Sequence, residues 1–215
     1  MPLKIALLAS GTGSNAKAII HAIKSGQLDA EVQCVIANIS DAPVLEMAQQ
    51  EGITTLLIPH QGLSRETHEQ QILEALKPFE INYLVLAGYM RLLTPILLNT
   101  FKDQSHYRIV NIHPSLLPAF PGTHGYDDAF HYGVKVSGVT VHLVDEAMDH
   151  GPILAQASFS RYDEDTLETF KARGLALEHE LYPQALQWIA EGRLAFRTEP
   201  HTQRTVIEVK SHVPC

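Results

Sequence analysis

The chain is poor in cysteine, has a single tryptophan and contains no long uninterrupted apolar run. Each shortage removes a class of protein. Two cysteines in 215 residues, Cys34 in an apolar run and Cys215 at the terminus, make no disulfide framework, so a reduced, cytoplasmic, soluble protein is expected. No stretch approaches the ~20 apolar residues of a membrane span, and the apolar segment after Lys4 is short. Basic residues are also in deficit: 16 Lys and Arg against 24 Asp and Glu leave a net charge of −8. That balance argues against nonspecific binding to nucleic acid or an anionic membrane. Apolar residues are plentiful. At 45% of a 215-residue chain they suffice for one large domain with a full core, or for two small ones.

Strand-like and helix-like patterns alternate along the chain. Residues 3–9 are nearly all apolar, as in a strand buried on both faces. Ser10-Gly-Thr-Gly-Ser-Asn15 follows, then a helical period over 16–23 ending near Gly26. A strand, a glycine-rich turn and a helix start together form an anion site, because free amide groups at the helix start point at the ligand. The spacing Gly11-x-Gly13-x-x-Ala16 also fits the dinucleotide fingerprint loosely, but the next strand, 32–37, ends in Asn38-Ile-Ser with its nearest following acid at Asp41. A phosphate monoester is the better expectation; a tight turn with no ligand is the alternative.

Further strands are expected over 54–58, 83–87, 108–112, 138–144 and 152–159, with helices over 42–52, from Ser64 to about 77, from Pro95, and over 126–132. The longest helical pattern runs from 163 to about 191, with Leu167, Phe170, Leu175, Leu181 and Leu186 inward and a kink expected at Pro183. Glu178 lies among small and apolar residues there; its own surroundings favour a solvent-facing side chain over one pointing into a site. Residues 193–197 and 204–209 suit a hairpin. The alternation implies one α/β domain, doubly wound around a mostly parallel sheet with helices on both faces, over 1–197, followed by a tail or hairpin over 198–215.

Asn111 and His113 stand two apart at the end of the apolar run Ile109-Val110, before Pro114 ends regular pairing. In a strand, i and i+2 share a face, so a carboxamide and an imidazole would look into one space. Such a pair suits stabilising an oxyanion and moving a proton. On these residues alone, a strand-end turn with a surface His is the stronger reading. Arg65, a cation near a helix start, is a solvated surface charge or else is held there for an anionic ligand, the former being the stronger reading on its own. Met90-Arg91-Leu92-Leu93 just past a strand end suits a flat, polar-edged ring system, or else is an ordinary loop packing its Met and Leu inward.

Several of these pieces together resemble the phosphoribosylglycinamide formyltransferase family: Ser10-Gly-Thr-Gly-Ser-Asn15, Leu86-Ala-Gly-Tyr-Met-Arg-Leu-Leu93, Asn111-Ile-His-Pro-Ser-Leu-Leu-Pro118, Gly138-Val-Thr-Val-His142 and Met148-Asp-His-Gly-Pro152. The resemblance spans roughly 3–194 and implies a Rossmann-like formyltransferase fold. It implies formyl transfer from 10-formyltetrahydrofolate to the amine of a phosphorylated glycinamide, with no metal. The implied catalytic residues are Asn111, His113 and Asp149, and Gly13, Ser14 and Asn15 would hold the substrate phosphate, in agreement with the glycine-loop argument. Arg65, Met90, Arg91, Leu92, Leu93, Asn111 and Val144 would border the folate, and Glu178 would meet the glycinamide end. Thr123-His124-Gly125-Tyr126 departs from the family's more basic, His-richer stretch, so no substrate contact is carried over to it.

Small-molecule substrates, a monomer or homodimer, and no nucleic-acid partner are expected. The rivals are a formyltetrahydrofolate hydrolase, expected to carry an extra amino-terminal domain; a methionyl-tRNA formyltransferase, expected to need a basic carboxyl-terminal domain; a metal hydrolase using His113, His142 and Asp149; and a nucleotide-sensing module using only the glycine loop.

Overall fold

The computed structural model describes residues 1–103 and 106–211; Cys215 and the end of the expected tail lie outside the described residues. Seven strands form one sheet. The chain enters at β1 (Leu3–Ala9), in the middle of the sheet, and passes through α1 (Ser14–Lys24), β2 (Ala30–Ala37), α2 (Pro43–Gln50) and β3 (Thr55–Leu57) to one edge. It then returns by α3 (Arg65–Leu76) to β4 (Tyr83–Leu86) on the other side of β1 and continues through α4 (Pro95–Thr100) to β5 (Ile109–His113). These five strands are parallel. After α5 (Gly125–Tyr132), β6 (Val136–Leu143) pairs antiparallel with β5, and β7 (Ile153–Ser160) antiparallel with β6. The long α6 (Leu167–Ala190) and a separate hairpin of β8 (Leu194–Thr198) and β9 (Thr205–Val209) complete the order.

The two-faced burial expected of β1 is literal. Ile5, Leu7 and Ala9 join one apolar cluster, with Ile19 of α1 and Tyr182 and Leu186 of α6; Ala6 and Leu8 join the other, with Ile72 of α3 and Leu97 of α4. Alternate side chains of a strand point to opposite faces, so a strand that is apolar throughout must be covered on both sides. The order also fixes where a ligand can sit. The chain leaves β1 toward one edge and later returns to pair β4 on β1's other side. The loops after β1 and β4 therefore diverge at their carboxyl ends and leave a crevice there.

In α6, Thr166 and Thr169 form a reciprocal capping box, so the helix starts at Leu167 rather than 163; Asp165 just before it pairs with Arg173 at 2.8 Å. The helix runs through Pro183 without ending, because its apolar face is held against the sheet on both sides of that residue. The expectation that Leu175 points inward is incorrect. It is 37% exposed, and Phe170, Gly174, Glu178, Leu181, Tyr182 and Ala185 take the buried face. Those positions follow a helical period that Leu175 breaks by one residue.

Tyr182 is fully buried, and its hydroxyl donates toward the carbonyl oxygens of both Leu86 and Val110, each at 3.0 Å. One side chain of α6 thus ties the adjacent parallel strands β4 and β5 to each other. Replacing Tyr182 with Phe is expected to keep the packing but lower stability by about 1 kcal/mol, the net worth of such a bond, measured by denaturant unfolding.

Candidate active site

The turn after β1 reaches its helix through Gly13, which caps α1 with φ +75°. No side chain caps this helix start, and its first turn carries no acid. The positive end of the helix and its amide groups are therefore left for a ligand rather than satisfied by the chain itself. A side chain at Gly13 fails on two counts: the backbone is left-handed, and an added Cβ would lie 2.4 Å from Val44 Cγ2. Asn15 is 8% exposed; its Nδ2 donates to Glu178 Oε2 at 2.6 Å, while its Oδ1 is buried without a hydrogen-bond partner. A buried acceptor left open in this way costs free energy unless a ligand supplies the donor.

Glu178 does not face solvent. It is 5% exposed, and its Oε1 accepts from the Tyr126 hydroxyl at 2.6 Å. The solvent-facing reading fails because the helical period through Phe170, Gly174, Leu181 and Tyr182 places Glu178 on the inward face of α6.

At the end of β5, Asn111 and His113 share a face as their spacing requires, and their partners across the ladder on β6 are His142 and Thr140. Asn111 Nδ2 lies 3.2 Å from His142 Nε2, and His142 Nδ1 lies 3.0 Å from the Leu143 carbonyl oxygen. A carbonyl can only accept, so Nδ1 carries the proton and Nε2 accepts from the Asn111 amide. Burial depresses the His142 pKa below its ordinary value of 6.5, overcoming the opposing pull of the Leu143 carbonyl and Asp149.

His113 is 3% exposed, so a surface His is excluded. Its Nε2 donates to the carbonyl of Phe120 at 2.8 Å, a residue whose backbone is left-handed (φ +51°). Its Nδ1 lies 3.5 Å from Asp149 Oδ2, too long for a good hydrogen bond, so that edge of the ring is near a carboxylate but not committed to it. Asp149 Oδ1 also lies 3.9 Å from His142 Nε2, and Oδ2 accepts from the Gly122 amide at 2.7 Å. Asp149 itself has φ +52°, a left-handed conformation that costs a non-glycine residue roughly 1 kcal/mol or more and persists only when its surroundings enforce it. The structure thus brings Asn111, His113 and Asp149 into one cluster, with His142 as a fourth member.

The segment after β4 is tied to the glycine loop: Met90 N donates to Ser10 Oγ at 2.9 Å. Its far end is anchored by Glu69, 2% exposed, whose carboxylate accepts from Thr94 N at 2.7 Å, Thr94 Oγ1 at 2.5 Å and Leu97 N at 3.2 Å. Held at both ends, the segment presents Met90 (65% exposed) and Leu92 (51%) to solvent, with Arg91 and Leu93 half-buried. Val144 is half-buried beside the start of the Asp149 loop, and Arg65 is exposed at the first position of α3. A groove of about 720 Å³ between α1 and α6, lined by Lys17, His179 and Trp188, touches this site only through Ser14.

Sequence reasoning missed three residues here. Glu69 could have been found, because the period through Ile72 and Leu76 extends back to it. Tyr126 and Tyr182 had no such signal, since their hydroxyl partners lie 52 or more positions away in the chain.

Comparison with known proteins places the chain in a family. Residues 3–186 match the family model described as Formyl transferase. The phosphoribosylglycinamide formyltransferase of Bacillus subtilis is 42% identical over 185 residues, covering 86% of this chain and 93% of its own; that of Escherichia coli is 38% identical over 195 residues, covering 89% of each. The crystal structure of glycinamide ribonucleotide transformylase 1 from Symbiobacterium toebii superposes with a TM-score of 0.89 at 37% identity, covering 98% of this chain and 95% of that one. The chain belongs to the formyl transferase family and, within it, groups with the phosphoribosylglycinamide formyltransferases.

Proposed function

We propose that the chain transfers the formyl group of 10-formyltetrahydrofolate to the amine of 5'-phosphoribosylglycinamide, with Asn111, His113 and Asp149 as the catalytic residues. The observation that carries this reading is the Asp149 carboxylate 3.5 Å from His113 and 3.9 Å from His142, at the end of the strand that bears Asn111. Gly13, Ser14 and Asn15 at the uncapped start of α1 receive the phosphate. Glu178 meets the glycinamide end. Arg65, Met90, Arg91, Leu92, Leu93, Asn111 and Val144 border the folate; the exposed Met90 and Leu92 suit an apolar ring face and Arg91 its polar edge.

The amine lone pair attacks the formyl carbon, giving a tetrahedral intermediate with one oxyanion and one ammonium. The Asn111 amide, held by His142, donates to the oxyanion. Protonated His113 adds positive charge from its uncommitted Nδ1 edge. Asp149 takes a proton from the ammonium, directly or through a water, and the proton passes to the folate nitrogen as its bond to the formyl carbon breaks. The products are the formylated amide and tetrahydrofolate. No covalent enzyme intermediate is required.

A spectrophotometric formyl-transfer assay tests the reading: formyl loss should require the glycinamide substrate. Loss without an acceptor would instead indicate a hydrolase, and abolition by a chelator would indicate a metal enzyme. In the same assay Asp149→Asn is expected to lower turnover by about two to four orders of magnitude, and Asn111→Ala by about two to three, the usual loss for one oxyanion donor. Gly13→Ala should raise KM for the phosphorylated substrate far more than KM for the folate.

The sign of the acid response follows from His142. Its folded-state pKa lies below its unfolded value, so the fold holds the neutral ring. Stability linked to this group is complete above about pH 6.5 and is lost as pH falls from there through the folded value. Protonation also turns Nε2 into a donor facing the Asn111 amide, so turnover should fall over the same window. His142→Gln should flatten the stability loss, measured by urea unfolding at about pH 7.5 and about pH 5.5.

A further inference from the structure

Tyr126 lies in the stretch that departs from the family pattern and has no part in the mechanism above. Its surroundings are nonetheless closely fitted. The residue is 7% exposed, and its hydroxyl donates to Glu178 Oε1 at 2.6 Å. The ring lies beneath α6 where Gly174 stands one turn before Glu178. A Cβ built on Gly174 would fall 2.4 Å from the ring and from the hydroxyl oxygen, so no other residue at 174 leaves room for the phenol. The other oxygen of the same carboxylate, Oε2, accepts from Asn15 of the glycine loop at 2.6 Å. At its own end Tyr126 belongs to α5, which begins against the catalytic stretch: a Cβ on Gly125 would lie 2.9 Å from the Pro114 carbonyl oxygen.

We infer that Tyr126 is a positioning residue for substrate binding: its hydroxyl and the Asn15 amide hold the two oxygens of Glu178 and so fix the carboxylate between the glycine loop and the segment that follows His113. This deepens the proposed function and rests on it, since Glu178 is read there as meeting the glycinamide end of the acceptor. The chemical reason is rotational. A Glu side chain has three torsions, and its terminal one is broad. One donor on each oxygen selects a single orientation, and both bonds are charge-assisted and short. Burial, reinforced by Glu178, raises the Tyr126 pKa well above its ordinary value, so the phenol remains a donor across the working pH range. With both carboxylate oxygens fixed and Asn15 Oδ1 left open beside them, the acceptor meets a preformed set of oxygens rather than one assembled on binding.

Tyr126→Phe removes the hydroxyl and leaves the ring. Steady-state kinetics should show KM for the phosphorylated glycinamide raised about tenfold or more, the worth of a hydrogen bond to a charged group, with kcat changed less than about threefold and KM for the formyl donor unaltered. Gly174→Ala, which displaces the ring from the other side, should reproduce the same split. In the Glu178→Gln background, Tyr126→Phe should add little, because its partner has already lost its charge. An unchanged KM in Tyr126→Phe would overturn the inference. So would a parallel fall in kcat, in affinity for both substrates and in the unfolding midpoint, or failure of the variant to fold, each of which would make the contact a packing feature only. Absence of transfer by the unaltered chain would overturn the parent reading instead, and this inference with it.

Discussion

One carboxylate organises this molecule. Asp149 comes from a loop between two antiparallel strands, yet it stands against His113 of β5 and His142 of β6 and takes the Gly122 amide from the segment that follows β5. To reach that place its backbone adopts a left-handed conformation. A charge held among two buried rings would be costly alone; it is tolerable because the backbone amide and the imidazoles surround it. The proposed chemistry depends on this convergence, since the oxyanion donors and the proton acceptor must share one small, partly water-excluded space.

The sheet provides that space. Starting in its centre, going to one edge and returning past β1 leaves a crevice at the carboxyl ends of β1, β4 and β5. Around the crevice, ties between distant segments replace local rigidity. Ser10 holds Met90, Glu69 holds the start of α4, and Tyr182 spans Leu86 and Val110. None of these groups reacts. Together they fix the relative positions of the glycine loop, the exposed Met90 and Leu92, and the Asn111 face, where small displacements would be costly to the proposed attack of an amine on a formyl carbon.

Much of the fold was legible because its signals are local. β1 is apolar on both faces, and the sheet is covered on both sides. Ser64 caps α3 through the Thr67 amide, and Gly133 ends α5 in the left-handed region. Asn111 and His113 share a face because a strand repeats every two residues. Local pattern misleads where the outcome depends on which side of an element meets the core. Taken alone it turns Leu175 inward and Glu178 outward, and the structure reverses both. A helix of 24 residues admits several inward faces from composition alone; only the sheet beneath it selects one.

The sequence by itself determined the periods, the turns and the chemical inventory: an alternating α/β chain, a glycine turn before an uncapped helix, an amide two residues from an imidazole, and the motifs that resemble one family. These follow from backbone sterics and side-chain chemistry within a few residues. Only the tertiary structure decided that Asp149 meets His113, that Tyr126 and Asn15 share one carboxylate across 52 and 163 positions, and that His142 is buried and orders Asn111. Each of those contacts joins segments whose meeting is set by how the layers pack, and no local pattern in the chain encodes it.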